Sequence, residues 1–224
     1  MILAAGEGRR MLPLTLDTPK PLLQVAGKSL LEWQILKLRD AGFREIVINV
    51  SYLGEQIVEA FQARRDLGVQ LAFSREEKPL ETGGGIRRAL PLLGNSPFVL
   101  VNADIWTEFN FAALQHRLAQ SDLAHLVMVQ NPPQHPDGDF SLSAGERVTE
   151  LSAGQGATFS GISVINPRLL ENIASDREKF PLRLALSDAI ARNAVSGEMY
   201  CGVWNDVGTP ERLDTLRRAL ANYT

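Results

Sequence analysis

The first apolar run, residues 2–5, is short and unbroken, and Gly6-Glu7-Gly8 follows it at once. That pattern predicts a buried strand running into a glycine-rich loop. Prolines and polar residues fill the chain up to Ser29. Ser29-Leu30-Leu31-Glu32 then reads as a capping box, with the Ser29 hydroxyl accepting from the third helical amide. The helix it opens carries Leu31, Ile35 and Leu38 on one face and stops at Gly42. A strand is expected over 45–50, a helix over 53–63 with Ile57, Ala60 and Phe61 on one side, and a strand over 69–73. After a turn at Pro79, Thr82-Gly83-Gly84-Gly85 predicts a loop leading into a short helix that ends near Leu90. Residues 98–101 form a continuous apolar run, as in a strand covered on both faces.

Up to this point strands and helices alternate, which argues for a doubly wound α/β sheet. The second half is less regular. Strands are expected over 125–129 and 159–165, a hairpin from 140–142 and 148–151 around Gly145, and a helix over 182–191. Thr209 caps a last helix with Pro210 at its first position, a favoured place for proline. No internal repeat or Gly/Ser-rich linker is visible. The economical organisation is one domain over 1–224, with 1–110 mainly a nucleotide-binding half and 111–224 a sugar-phosphate half. The first strand begins so close to residue 1 that a few residues are expected to precede it.

Composition narrows the partners. The formal net charge is −3, without the basic surplus of a nucleic-acid binder. No stretch approaches the roughly 18 apolar residues of a membrane span, and the first residues lack the basic start of a signal peptide. The single cysteine, Cys201, has no partner for an internal disulfide and reads as a half-buried filler. A reducing, cytoplasmic setting follows, with small anionic ligands as the remaining partners.

The loop after the first strand reads Gly6-Glu7-Gly8-Arg9-Arg10-Met11-Leu12-Pro13-Leu14-Thr15, then Leu16-Asp17-Thr18-Pro19-Lys20-Pro21. Glycines there let backbone amides approach phosphate oxygens, although any tight turn needs glycine too. The dinucleotide fingerprint fails, because Met11 replaces its third glycine and prolines forbid an immediate helix. That weakens a dehydrogenase. A Gly-Lys-Ser/Thr phosphate loop is also absent. What remains is a proline-stiffened loop with cations. Arg10 can grip a pyrophosphate through its planar fork and Lys20 can supply a point charge. The alternative reading of Arg9, Arg10 and Lys20, taken alone, is as solvated loop cations.

The run G-x-G-x-R-M-x-P-L-T followed by P-K-P-L resembles the signature of the sugar-1-phosphate nucleotidyltransferases, the nucleoside-diphosphate-sugar pyrophosphorylases. Leu80-Glu81-Thr82-Gly83-Gly84-Gly85, Val101-Asn102-Ala103-Asp104 and Trp204-Asn205-Asp206-Val207-Gly208-Thr209 extend the resemblance over essentially the whole chain. It implies a Rossmann-like, glycosyltransferase-A-like fold with a mixed, mainly parallel sheet flanked by helices. The implied nucleotide contacts are Ala4, Ala5, Gly6, Gly8, Arg9, Arg10, Lys20, Thr82, Gly83 and Asn102, with Arg10 and Lys20 catalytic. The implied cofactor is Mg²⁺ on Asp104 and Asp206, which lie 102 residues apart in the chain. Without the resemblance, either aspartate could be a cap or turn residue. The family often has glycine where this chain has Ala103, so a positive φ there would be strained.

A closer resemblance is to the bacterial uridylyltransferases acting on N-acetylmuramic acid α-1-phosphate in peptidoglycan recycling. Its features are Asn131-Pro132-Pro133-Gln134-His135, Gly138-Asp139-Phe140-Ser141-Leu142 and Phe159-Ser160-Gly161-Ile162-Ser163-Val164. Asp139 and Gly161 then fall in the sugar pocket, although Asp139 could also be a turn residue after Gly138. His135 is expected on a surface loop, and His116 and His125 in structural roles. Asn49-Val50-Ser51-Tyr52-Leu53 is also familiar from mannose-1-phosphate guanylyltransferases, which keeps a hexose-1-phosphate enzyme as the alternative. A non-catalytic nucleotide-sensing module is the alternative of another class, opposed by the presence of Lys20, Asp104 and Asp206. The expected partners are a nucleoside triphosphate and a sugar 1-phosphate, with no nucleic acid or membrane, in a monomer or small homo-oligomer.

Overall fold

A computed structural model describes residues 1–152, 154 and 156–221. Along the chain run β1 (Ile2–Leu3), β2 (Gln24–Val25), β3 (Lys28–Ser29), α1 (Leu30–Asp40), β4 (Glu45–Val50), α2 (Gly54–Phe61) and β5 (Gln70–Arg75). Then come α3 (Glu81–Leu93), β6 (Phe98–Asn102), β7 (Ile105–Thr107), β8 (Ala124–Val129), β9 (Phe140–Leu142) and β10 (Val148–Thr149). The chain continues with β11 (Gly156–Ile165), α4 (Leu182–Ala191), β12 (Val195–Tyr200), β13 (Trp204–Asp206) and α5 (Pro210–Ala219). Two compact units result. One contains Met1–Pro79, Asn102–Ala112 and the described chain from Val203; the other contains Leu80–Val101 and Ala113–Gly202.

In the first unit, β4 is the middle of a parallel set, pairing with β1 (Ile2↔Ile48) and with β5 (Val47↔Ala72). Its residues Ile46 to Val50 are all buried, so the apolar run reflects cover on both faces. Helix α1 starts as its capping box requires, with Ser29 Oγ accepting from the Glu32 amide at 3.1 Å. A second apolar cluster joins Met11, Val25, Leu30, Trp106, Val207 and Leu213, with Trp33 meeting Trp106 edge-on at 5.4 Å between ring centroids. It fastens the N-terminal loop, β7 and α5 together. The Thr209 hydroxyl caps α5 through the Arg212 amide at 3.4 Å, and Pro210 occupies the first turn.

The second unit is mixed. The long strand β11 pairs antiparallel with β6, β8 and β9, and β8 pairs parallel with β12. The expected hairpin is present as β9 and β10, with Val148 opposite Leu142. Register shifts in β11 between Phe159 and Ile162, a bulge with Gly161 at φ 80°. Helix α3 differs from the sequence expectation. Thr82 to Gly85 lie within it, not in a loop before it, and it runs to Leu93 with Pro91 inside. Packing overrides the low helix propensity of glycine, because Gly83 and Gly84 press against the backbone of Phe180 and Glu178. Strand β12 was not expected, since Ser196, Gly197 and Glu198 interrupt its apolar pattern. Among the described residues, no helix is long and apolar enough to cross a membrane.

Candidate active site

The glycine-rich loop is shaped by contacts that only its sequence permits. Gly8 has φ 64°, and a Cβ there would sit 3.0 Å from Thr15 Cγ2 and 3.2 Å from Lys20 Cβ. The buried Thr15 hydroxyl donates to the Gly8 carbonyl at 2.9 Å. Tyr52 then pins the loop through its hydroxyl, 3.1 Å from the carbonyls of both Thr15 and Leu16, and Gln56 Nε2 holds the Asp17 carbonyl at 3.0 Å. These contacts keep Lys20 buried at the start of a short 3₁₀ turn. Gly6 is different. It is exposed and a Cβ there would meet nothing within 4 Å, so the fold itself does not require glycine.

The other predicted contacts of this loop divide by exposure. Ala4 and Ala5 are buried, and the Ala4 amide donates to Asn49 Oδ1 at 2.9 Å. Asn49 is itself held by Glu76, whose Oε1 accepts from Asn49 Nδ2 at 2.7 Å. This buried Asn49–Glu76 pair supports the end of β1, and no role was assigned to either residue from the sequence. Arg9 forms an ion pair with Glu7, and Arg10 is exposed.

Asp104 and Asp206 are brought together by a ladder too short to be seen in the sequence. Strands β7 and β13 pair antiparallel with Asp206 opposite Ile105, the neighbour of Asp104. The Val207 amide donates to the Asp104 carbonyl at 2.9 Å. Lys20 Nζ donates to Asp104 Oδ2. Arg212 Nη1 is 2.5 Å from Asp206 Oδ2 and 3.2 Å from the Asp206 carbonyl. Each carboxylate thus faces one cation, and Arg212 was not anticipated. Ala103 is buried with its amide on the Leu3 carbonyl at 3.0 Å, and its φ is not positive, so the strain feared at that position is absent. No cluster of three or more His, Cys, Asp or Glu side chains suited to a metal occurs among the described residues. Two carboxylates, one in the turn just before β7 and one at the end of β13, still fit Mg²⁺, which takes one or two protein carboxylates and completes its shell with water and substrate phosphate.

In the second unit, the groups predicted to touch nucleotide are engaged internally. The amides of Gly83 and Gly84 both donate to the Phe180 carbonyl, at 3.0 and 3.1 Å, and Thr82 Oγ1 accepts from the Leu182 amide at 2.7 Å. Asp139 is likewise occupied. Its Oδ2 accepts from the Phe159 amide at 2.8 Å, one residue before the bulge that contains Gly161. His135 Nε2 lies 3.2 Å from Asp139 Oδ1. His125 is buried between Ser196 Oγ at 3.0 Å and Glu198 Oε1 at 3.3 Å. Burial pushes its pKa down while Glu198 pulls it up, the setting of a structural histidine.

The geometry therefore places an anion-ready loop, a buried lysine and two carboxylates in one compact unit, the parts a phosphoryl-transfer site needs. The nucleotidyl transferase family model matches residues 1–222. The chain belongs to that family. It is 48% identical to the N-acetylmuramate alpha-1-phosphate uridylyltransferase of Neisseria meningitidis serogroup B, over 95% of this chain and 94% of that protein. It is 33% identical to the mannose-1-phosphate guanylyltransferase catalytic subunit beta of Drosophila pseudoobscura pseudoobscura, over 94% of this chain but 59% of that longer protein. A crystal structure described as a glucose-1-phosphate thymidylyltransferase of Bacillus anthracis, in complex with sucrose, covers all of this chain and 94% of its own. Its TM-score is 0.87 at 18% identity, a likeness of fold. The chain is a sugar-1-phosphate nucleotidyltransferase by family, with the Rossmann-like α/β fold that the motifs imply.

Proposed function

We propose that this chain joins UTP to N-acetylmuramic acid α-1-phosphate and releases pyrophosphate. The observation that carries this choice of substrates is the 48% identity, spread over 95% of the chain, to the Neisseria uridylyltransferase. In the reaction, an oxygen of the sugar phosphate attacks the α-phosphorus of UTP in line. The bond from that phosphorus to the bridging oxygen breaks, and pyrophosphate leaves opposite the nucleophile. The attacking phosphate is already anionic, so no strong general base is required, and catalysis reduces to positioning and charge stabilisation.

The first unit would carry the phosphates. Gly6 and Gly8 offer a close approach to backbone, Arg10 grips the departing pyrophosphate, and Lys20 neutralises charge on the reacting phosphates. Asp104 and Asp206 would hold a divalent ion, Mg²⁺ by the all-oxygen donor set, which supplies the charge that draws two anionic reactants together. Ala4, Ala5, Arg9 and Asn102 complete the nucleotide contacts on this unit. Gly83, whose amide is spent on the Phe180 carbonyl, would contribute surface, while Thr82, whose hydroxyl only accepts from the Leu182 amide, keeps its own O–H to donate. Asp139 and Gly161 would serve the sugar. The substrates imply a cytoplasmic enzyme.

The test is pyrophosphate release with paired substrates. N-acetylmuramic acid 1-phosphate with UTP should be used with kcat/KM at least about tenfold above glucose 1-phosphate with UTP, a gap of roughly 1.4 kcal/mol. Preference for mannose 1-phosphate with GTP would replace the muramyl reading by a guanylyltransferase. Asp104→Asn and Asp206→Asn should each depress kcat strongly with the fold intact, and an unchanged rate at saturating Mg²⁺ removes that residue from the metal site.

A further inference from the structure

We propose that Gln34 and Lys37 of α1 are positioning residues that fix the Asp104–Asp206 pair by holding the outer edge of β7. The Val207 amide donates to the Asp104 carbonyl, so Ile105 and Asp206 form a non-hydrogen-bonded pair in the β7–β13 ladder. The Ile105 carbonyl then turns away from β13, and by the two-residue repeat of a strand so does that of Thr107. Both are taken by α1. Gln34 Nε2 donates to the Ile105 carbonyl at 2.5 Å, and Lys37 Nζ donates to the Thr107 carbonyl. Lys37 Nζ also lies 3.9 Å from the centre of the Trp106 ring, between those two carbonyls in sequence. Gln34 and Lys37 are three apart on α1 and so share a face, matching two carbonyls two apart on an extended strand.

Gln34 has a cost that the core alone does not explain. It is fully buried, and its Oε1 has no hydrogen-bond partner among the described residues. An unsatisfied buried acceptor destabilises a fold, and a methionine of similar volume would avoid it. What glutamine adds is the donor to Ile105, the residue between Asp104 and the rest of β7. A three-residue strand paired with another three-residue strand has little rigidity of its own. The tether to α1 supplies it, and the carboxylates that flank β7 and end β13 inherit their separation from it.

The inference rests on the assignment of Asp104 and Asp206 to a divalent ion. It is tested by titrating the protein with Mn²⁺ alone, following the free ion by electron paramagnetic resonance, with thermal unfolding in parallel. Gln34→Met should weaken Mn²⁺ binding about tenfold, the scale of losing an outer support of a metal ligand. The KM for UTP at saturating metal should stay within about twofold, since uniform nucleotide binding is not touched. Lys37→Met should shift Mn²⁺ binding in the same direction but less, because Thr107 is two residues farther from Asp104. Leu38→Ala, a truncation in the apolar core of the same helix, should lower Tm and leave Mn²⁺ affinity alone. If Gln34→Met lowers Tm yet binds Mn²⁺ like the unaltered protein, the tether is purely structural and the proposal is overturned. If Asp104→Asn also leaves Mn²⁺ binding unchanged, the metal assignment itself has failed, and the tether has nothing to position.

Discussion

The chain has two glycine-rich stretches, and they are used differently. Around Gly6 and Gly8 the fold holds a loop open: one glycine faces empty space, and the other lets Lys20 and Thr15 come close. Around Gly83 and Gly84 the fold closes down. A Cβ at Gly83 would sit 2.5 Å from Phe180 Cδ2 and 2.9 Å from the Phe180 carbonyl, and both glycine amides already donate to that carbonyl. Gly6 leaves room beside the loop, whereas Gly8, like Gly83 and Gly84, spends its missing side chain on close contacts within its own unit. Glycine content cannot distinguish these uses. The presence or absence of a neighbour where a side chain would go does distinguish Gly6 from Gly83 and Gly84.

Lys20 offers the hardest test of the open stretch. If the loop exists to present Lys20, Lys20→Ala should lower kcat by on the order of 10²–10³, the effect of deleting one preorganised donor to a charged transition state. A change confined to the KM for UTP would mean uniform binding instead and would remove Lys20 from the chemistry. The same substitution leaves Asp104 without its cation, so stability should be measured alongside the rate.

The glycines themselves give the next largest effect, and a direct contrast. Gly83→Ala should destabilise the protein by about 1–3 kcal/mol, the range for overpacking a filled site, read as a lower Tm. Gly6→Ala should stay within about 0.5 kcal/mol of the unaltered stability while raising the KM for UTP. Equal losses of stability in the two variants would erase the distinction. A Gly6→Ala protein with a normal KM would show that nothing approaches that side of the loop.

The sequence carried these two regions unequally. Ser29-Leu30-Leu31-Glu32 and Thr209-Pro210 announced α1 and α5, because capping is a local hydrogen bond between residues three apart, and both caps form. The alternation of β1, α1, β4, α2 and β5 was likewise readable from periodicity. Three features were not. Strand β12 has Ser196, Gly197 and Glu198 in its middle, and pairing with β8 overrides their weak strand preference. Helix α3 contains three consecutive glycines, which local propensity forbids and contact with Phe180 and Glu178 permits. The pairing of Asp206 with Arg212, and of Asn49 with Glu76, depends on side chains meeting in three dimensions, which no spacing rule encodes. Resemblance could nominate the two aspartates, but the reason they meet is the β7–β13 ladder, two strands of three residues each.

The smallest expected effect concerns Asp139, which belongs with the closed kind of region although it was nominated for the sugar. Its carboxylate accepts from the Phe159 amide and faces His135, so it is a brace for the β11 bulge at Gly161. Removing it in Asp139→Ala should cost about 1 kcal/mol for a half-exposed hydrogen bond to backbone. It should also raise the KM for the sugar phosphate more than that for UTP. Asp139→Asn separates brace from contact, because asparagine keeps an oxygen able to accept from Phe159 but loses the charge. If asparagine restores sugar phosphate use, Asp139 acts through the bulge and Gly161. If asparagine fails as alanine does while Tm is normal, the charge itself meets the sugar. If alanine instead raises the KM for UTP and spares the sugar phosphate, Asp139 and the bulge it braces lie outside the sugar site altogether.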